Sequence, residues 1–182
     1  AEQSAFFYIA WMLAMVLTVI PTGIAQSLFA ESSYAPTKLW FLTRKSLALA
    51  LALSIPGAVL CLLVSGWFLR FFGPGYSENG VPVVRLLSIA VIPQCLNALF
   101  LAVNQVQKRV HLVVAQGAAL ALIALGLGWL LLKKMGLTGI GLGYLMSHLA
   151  VAVLVIGPLV QSMKQPVAKG RERLETKQGS TV

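Results

Sequence analysis

Residues 3–30 read QSAFFYIAWMLAMVLTVIPTGIAQSLFA, and no charged side chain interrupts the chain between Glu2 and Glu31. A helix rises 1.5 Å per residue, so about 20 apolar residues suffice to cross the roughly 30 Å hydrocarbon core of a bilayer. This run exceeds that length. The same reading carried along the chain finds four more runs, and spans are expected near 4–30, 46–69, 86–107, 112–132 and 136–163. The first and last are longer than a perpendicular crossing needs, so they can tilt or extend into the interface. The expected fold is all-α and integral to a membrane. A membrane domain of five helices occupies 1–163, and a basic tail that cannot bury enough apolar surface to fold alone follows at 164–182.

Composition excludes other classes. Hydrophobic residues make up 58% of the chain and charged residues 10%, against roughly 25% charged in a water-soluble domain. Aspartate is absent, and the acids are Glu2, Glu31, Glu78, Glu172 and Glu175. The net charge of +9 would suggest nucleic acid in a soluble protein. Here the basic residues sit between apolar runs, where they act as topology signals, and no nucleic-acid partner is expected. Cys61 and Cys95 lie inside apolar runs with no metal or disulfide spacing, so neither a metal nor a cofactor is expected. No nucleophile–base pair, phosphate-cradling loop or in-span carboxylate pair occurs, and covalent catalysis is not expected. The chain opens at Ala1 without methionine. Its first run is too long for a signal peptide and lacks a basic flank, so Ala1 reads as a truncation.

The loops set an orientation. Lys38, Arg44, Lys45, Lys108, Arg109, Lys164, Lys169, Arg171, Arg173 and Lys177 fall on one side, against Arg70, Arg85, Lys133 and Lys134 on the other. The positive-inside rule puts the C-terminus in the cytoplasm and Ala1 outside. Trp11, Trp67 and Trp129 then fall near outer helix ends, where indole rings favour the headgroup zone. Trp40 sits in the basic, aromatic segment Lys38–Lys45, suited to the inner interface. Membrane lipids are expected partners.

Within the spans, Pro21, Pro56, Pro93 and Pro158 predict kinks, which a packed bundle around a cavity tolerates best. The third span is the most polar, with Gln94, Asn97, Asn104 and Gln105. A stripe at 94–97–101–104–108 is expected to face the bundle, either bonding a neighbouring helix or lining a hydrophilic cavity. Thr18, Thr22 and Gln26 form a smaller stripe on the first span. In the fifth, Tyr144, Ser147 and His148 share a face; His148 either bonds another helix or contacts substrate or protons. Gly139, Gly143 and Ser147 recur every four residues, a small-residue face for close helix packing.

Three stretches carry a family resemblance. Leu69-Arg-Phe-Phe-Gly-Pro-Gly-Tyr76 resembles the hydrophobic-Phe-Gly-x-x-Tyr exit of polysaccharide flippases, in the superfamily of multidrug, oligosaccharidyl-lipid and polysaccharide exporters. Pro21-Thr-Gly-Ile-Ala-Gln-Ser-Leu-Phe-Ala-Glu31 and Lys134-Met-Gly-Leu-Thr-Gly-Ile-Gly-Leu-Gly143 are similar to the eighth helix's exit and the last helix pair's entry. The family often has Pro where Ala30 stands, and often Ala near Gly141–Gly143. The resemblance implies helices 8–12 of a 12-helix, two-lobe, alternating-access transporter of the bacterial inner membrane. Its cargo would be an undecaprenyl-pyrophosphate-linked oligosaccharide for cell-surface polysaccharide such as lipopolysaccharide, and its partner the missing N-terminal lobe. On that basis Gln26, Gln94, Asn97, Asn104 and His148 are candidates for the substrate cavity. Arg44, Lys45, Lys108 and Arg109 are candidates for a cytoplasmic basic rim that first meets the pyrophosphate.

Two other readings share these spans. A cation-coupled multidrug antiporter of the same fold should place acids within its spans, and this chain places none there. A non-transporting scaffold subunit has no use for polar stripes and four in-span prolines. A major-facilitator transporter usually carries an acidic–basic loop signature that is missing here.

Overall fold

The computed structural model describes the backbone of residues 2–164 and the side chains of residues 5–160. Among the described residues the chain is helical, without strands. It runs α1 (Glu2–Tyr34), a short 3-10 turn (Pro36–Lys38), α2 (Leu39–Arg70), α3 (Pro74–Val106), α4 (Val110–Met135) and α5 (Leu137–Lys164). All five helices are long and apolar enough to cross a membrane. The expected tail lies, apart from Lys164 closing α5, outside the described residues.

Two helices begin earlier than their apolar runs. α2 takes in the basic, aromatic segment from Leu39, and α3 starts at Pro74. Glu78, Pro82 and Arg85 therefore lie inside α3 and not in a loop, with Arg85 exposed. A proline at the first helical position sacrifices no hydrogen bond, because that N–H has no partner in a helix anyway. Pro74 occupies that position, capped by Gly73 at φ 124° and ψ 163°. Side chains other than glycine are nearly barred from this region. The Phe-Gly-x-x-Tyr stretch is thus the α2–α3 corner. Its rings lock the turn: Tyr76 meets Phe6 edge-on at 4.7 Å and lies 6.1 Å from Phe72. Gly73→Ala is expected to lower stability by about 1–3 kcal/mol, read as a drop in thermal unfolding temperature in lipid nanodiscs.

α3 is the axis of the bundle. In its most apolar window 61% of residues are buried, against 6% for α4. α1, α2 and α5 pack on α3, while α4 leans mainly on α5. The core runs in three layers along this axis. One end holds Ala10, Ala14, Leu69, Val83, Val84 and Leu87, with Phe7, Trp11 and Tyr144 against them. Leu17, Ala58 and Val91 fill the middle. At the other end Leu28, Leu42, Leu99, Phe100, Val103 and Val155 close the core. Between α2 and α3 the Cys95 thiol donates to Ser54 Oγ at 3.4 Å, so a buried serine is matched across the interface.

The α4–α5 contact is glycine on backbone. A Cβ at Gly143 would meet Gly128 N at 2.8 Å, and one at Gly139 would fall on the Leu131 carbonyl. Helices with no hydrophobic drive between them associate through such close approach.

The aromatic residues divide. Trp67 and Trp129 are exposed, and Lys133 Nζ lies 4.7 Å from the Trp129 ring. Trp11 instead turns inward and meets Tyr144 edge-on at 5.3 Å. Its position along the helix resembles that of an interfacial tryptophan, but its side faces α5.

Candidate functional site

α1 and α4 stand on either side of a cleft of about 340 Å³ whose floor is α3 and α5. Its polar lining is Thr22 and Gln26 from α1, Gln94, Asn97 and Gln105 from α3, Gln116 from α4 and His148 from α5. Phe29, Leu101 and Leu120 add apolar wall. No lysine, arginine, aspartate or glutamate lines it. Every lining residue except His148, which sits just short of the middle of α5, falls in the half of its helix nearer the α1–α2 and α3–α4 connections. Those connections carry Lys38, Lys108 and Arg109, and the start of α2 adds Arg44 and Lys45, so the cleft lies toward the basic end of the bundle.

Asn97 organises the floor. It is 3% exposed, and its Nδ2 donates to the His148 carbonyl at 3.0 Å, tying α3 to α5. Its own backbone carbonyl accepts Gln116 Nε2 at 2.8 Å, tying α3 to α4. Because a carbonyl only accepts, both amides have their orientation decided by these bonds. Their free ends are therefore the oxygens, and Asn97 Oδ1 and Gln116 Oε1 are buried without a protein partner. Gln94 Oε1 is likewise buried and unpartnered. In a native fold the large majority of buried polar atoms are hydrogen-bonded, to protein or to water; of the five buried side-chain atoms without a protein partner among the described residues, three belong to residues that line this cleft.

His148 follows the same logic. Its Nδ1 lies 3.1 Å from the Tyr144 carbonyl and 3.4 Å from Ser147 Oγ. The Ser147 hydroxyl donates to that same carbonyl at 2.7 Å. Nδ1 must therefore carry the hydrogen, and in the neutral ring Nε2 is left as an acceptor. The imidazole packs on the Tyr144 ring with centroids 4.2 Å apart. So the His148 side chain bonds within its own helix, and the inter-helix bond at this residue is made by its backbone.

The structure brings Gln26, Gln94, Asn97 and His148 to the cleft and leaves Asn104 out. At about 100° per residue Asn104 turns roughly 80° from Gln94, whereas Gln105 returns to within roughly 20°. Asn104 is buried and donates to the Phe100 carbonyl of its own helix at 2.8 Å. Gln116 escaped the sequence reading. Its signal was a lone amide in the otherwise apolar first half of α4. Arg44, Lys45, Lys108 and Arg109 are exposed and do not line the cleft. Arg44 lies 5.9 Å from the Trp40 ring centroid, and Lys108 takes φ 55° in the tight α3–α4 turn.

Comparison with known proteins adds one partial match. The protein named "Probable flippase AglR" of Haloferax volcanii is 34% identical over 91 residues, covering 47% of this chain and 19% of the relative. The chain thus spans about a fifth of the aligned relative's length. No protein-family model matches the chain, and no solved structure matches it.

Proposed function

We propose that this chain is part of a transporter that flips an undecaprenyl-pyrophosphate-linked oligosaccharide across the bacterial inner membrane for cell-surface polysaccharide synthesis. The observation that carries this reading is the amide-lined cleft, without Lys, Arg, Asp or Glu, set among four of the five membrane-length helices. Amides both donate and accept, which suits sugar hydroxyls, and the partial similarity to a protein named as a probable flippase supports the same class. On this reading the five helices belong to the second lobe of a 12-helix, two-lobe machine working by alternating access. The N-terminal lobe is their partner. The basic end and the C-terminus face the cytoplasm. There Arg44, Lys45, Lys108 and Arg109 meet the pyrophosphate, while the lipid tail stays in the bilayer and the sugar enters the cleft. A cation-coupled drug antiporter fits less well, because no carboxylate lines the cleft to receive a cationic drug.

The test is deletion and complementation of the full-length parent gene, following lipid-linked oligosaccharide on the inner leaflet. Accumulation on deletion, relieved by wild type and not by a Gln94→Ala, Asn97→Ala double variant, is the expected result. Relief by both leaves a flippase whose cleft is packing only. Altered drug resistance without accumulation moves the assignment to an antiporter.

A further inference from the structure

The polar lining of the cleft has no lysine, arginine, aspartate or glutamate. One amide hydrogen each of Asn97 and Gln116 goes to a backbone carbonyl, and the Nδ1 hydrogen of His148 to Tyr144. Toward the cleft this leaves Asn97 Oδ1, Gln116 Oε1 and His148 Nε2. Gln94 adds Oε1. The amide N–H groups of Gln26, Gln94 and Gln105 complete the polar lining as neutral donors, and no cationic side chain accompanies them. A ligand that satisfies the buried oxygens must supply hydrogens to them, as a sugar hydroxyl can while also accepting from the amides. An anionic group there would lose its water beside buried acceptor oxygens and gain no positive charge, which is the costly form of burial.

We infer that the cleft is a selectivity filter for neutral, hydroxyl-rich sugar residues that excludes uronate and other acidic sugars, resting on the flippase reading for its place in transport. The acceptors take hydroxyl hydrogens from one face of the sugar. Phe29, Leu101 and Leu120 offer apolar wall to its C–H surface. Any phosphate on the same cargo stays outside, at the basic end. Gln94 is the position to test. It makes no hydrogen bond with the rest of the described protein, so changing it spares the bonds that hold α3 to α4 and α5.

The experiment uses the full-length parent protein in lipid nanodiscs, with maltotriose as neutral probe and trigalacturonate as acidic probe, bound sugar being read by saturation-transfer NMR. Maltotriose is expected to bind at least about tenfold tighter, the equivalent of one unmade hydrogen bond or more. Gln94→Leu should weaken it several-fold, and Gln94→Lys, which supplies a cation, should reverse the preference. Equal or stronger binding of trigalacturonate by the native chain overturns the filter, as does binding of neither sugar. The flippase reading stands or falls separately, on accumulation of lipid-linked oligosaccharide in the deletion strain. A neutral preference without accumulation keeps the filter and removes its transport role.

Discussion

Replacing Gly143 by leucine is expected to force α4 off α5 and to lower stability by about 3 kcal/mol or more, the upper range for overpacked cores. What a side chain would meet there is backbone: Gly128 N at 2.8 Å and Gly128 Cα at 3.0 Å. No rotamer change can clear a main chain, so the helices must separate. α4 has little other protein contact to hold it, since only 6% of its apolar window is buried. Gly126→Leu, on the facing helix α4, is the matched control. Nothing lies within 4 Å of a Cβ built at Gly126, and glycine inside a helix already costs about 0.5–1 kcal/mol relative to alanine. The control should therefore be neutral or slightly stabilising. Tryptophan-monitored thermal unfolding in nanodiscs reads both variants, and equal melting temperatures would mean that the glycine contact does not hold the pair together.

Asn97→Leu is expected to separate stability from transport. The side chain contributes one bond, to the His148 carbonyl, and hydrogen bonds between membrane helices are worth about 0.6 kcal/mol on average and up to about 1.7. Leucine fills a similar volume, so unfolding should shift modestly. Transport on the proposed reading should fall by more than about tenfold, because the variant removes the central acceptor of the cleft and loosens the anchor that positions His148. Asn104→Leu provides the contrast. That amide serves only the Phe100 carbonyl of its own helix, so the lipid-linked oligosaccharide should be flipped at near the native rate. If the two variants behave alike, the cleft has no privileged role.

The five helices were legible in the sequence because lipid imposes a simple demand. With no water to satisfy peptide groups, a crossing segment must be long, apolar and internally bonded, and such runs can be counted. Helix ends were less legible. Once past the hydrocarbon a helix continues through polar residues at no great cost, and α3 does so from Pro74 through Glu78 and Arg85. Much of the cleft was legible as period: Gln26, Gln94, Asn97 and His148 are polar where an apolar side chain would otherwise stand. Asn104 and Gln105 were confounded because adjacent residues differ by about 100° around the axis, and only packing decides which of two neighbouring amides faces a cavity. Gln116 was invisible as a partner because its role depends on which helix α4 meets. The glycine repeat at 139 and 143 was the reverse case. Its spacing alone called for close contact, and the contact is there.

The central place of α3 also bears on how the chain enters the membrane. Synthesis delivers α3 before α4 and α5, so Asn97 reaches the bilayer before either His148 or Gln116 exists. For that interval Asn97 lacks its partners on α4 and α5, and of the described helices only α1 and α2 are present to shelter it from acyl chains. The later arrivals complete it from the C-terminal side. A chain interrupted between Met135 and Leu137 would leave Asn97 without its His148 acceptor. Quality-control proteases that patrol the bilayer for stranded polar groups would have their clearest target there.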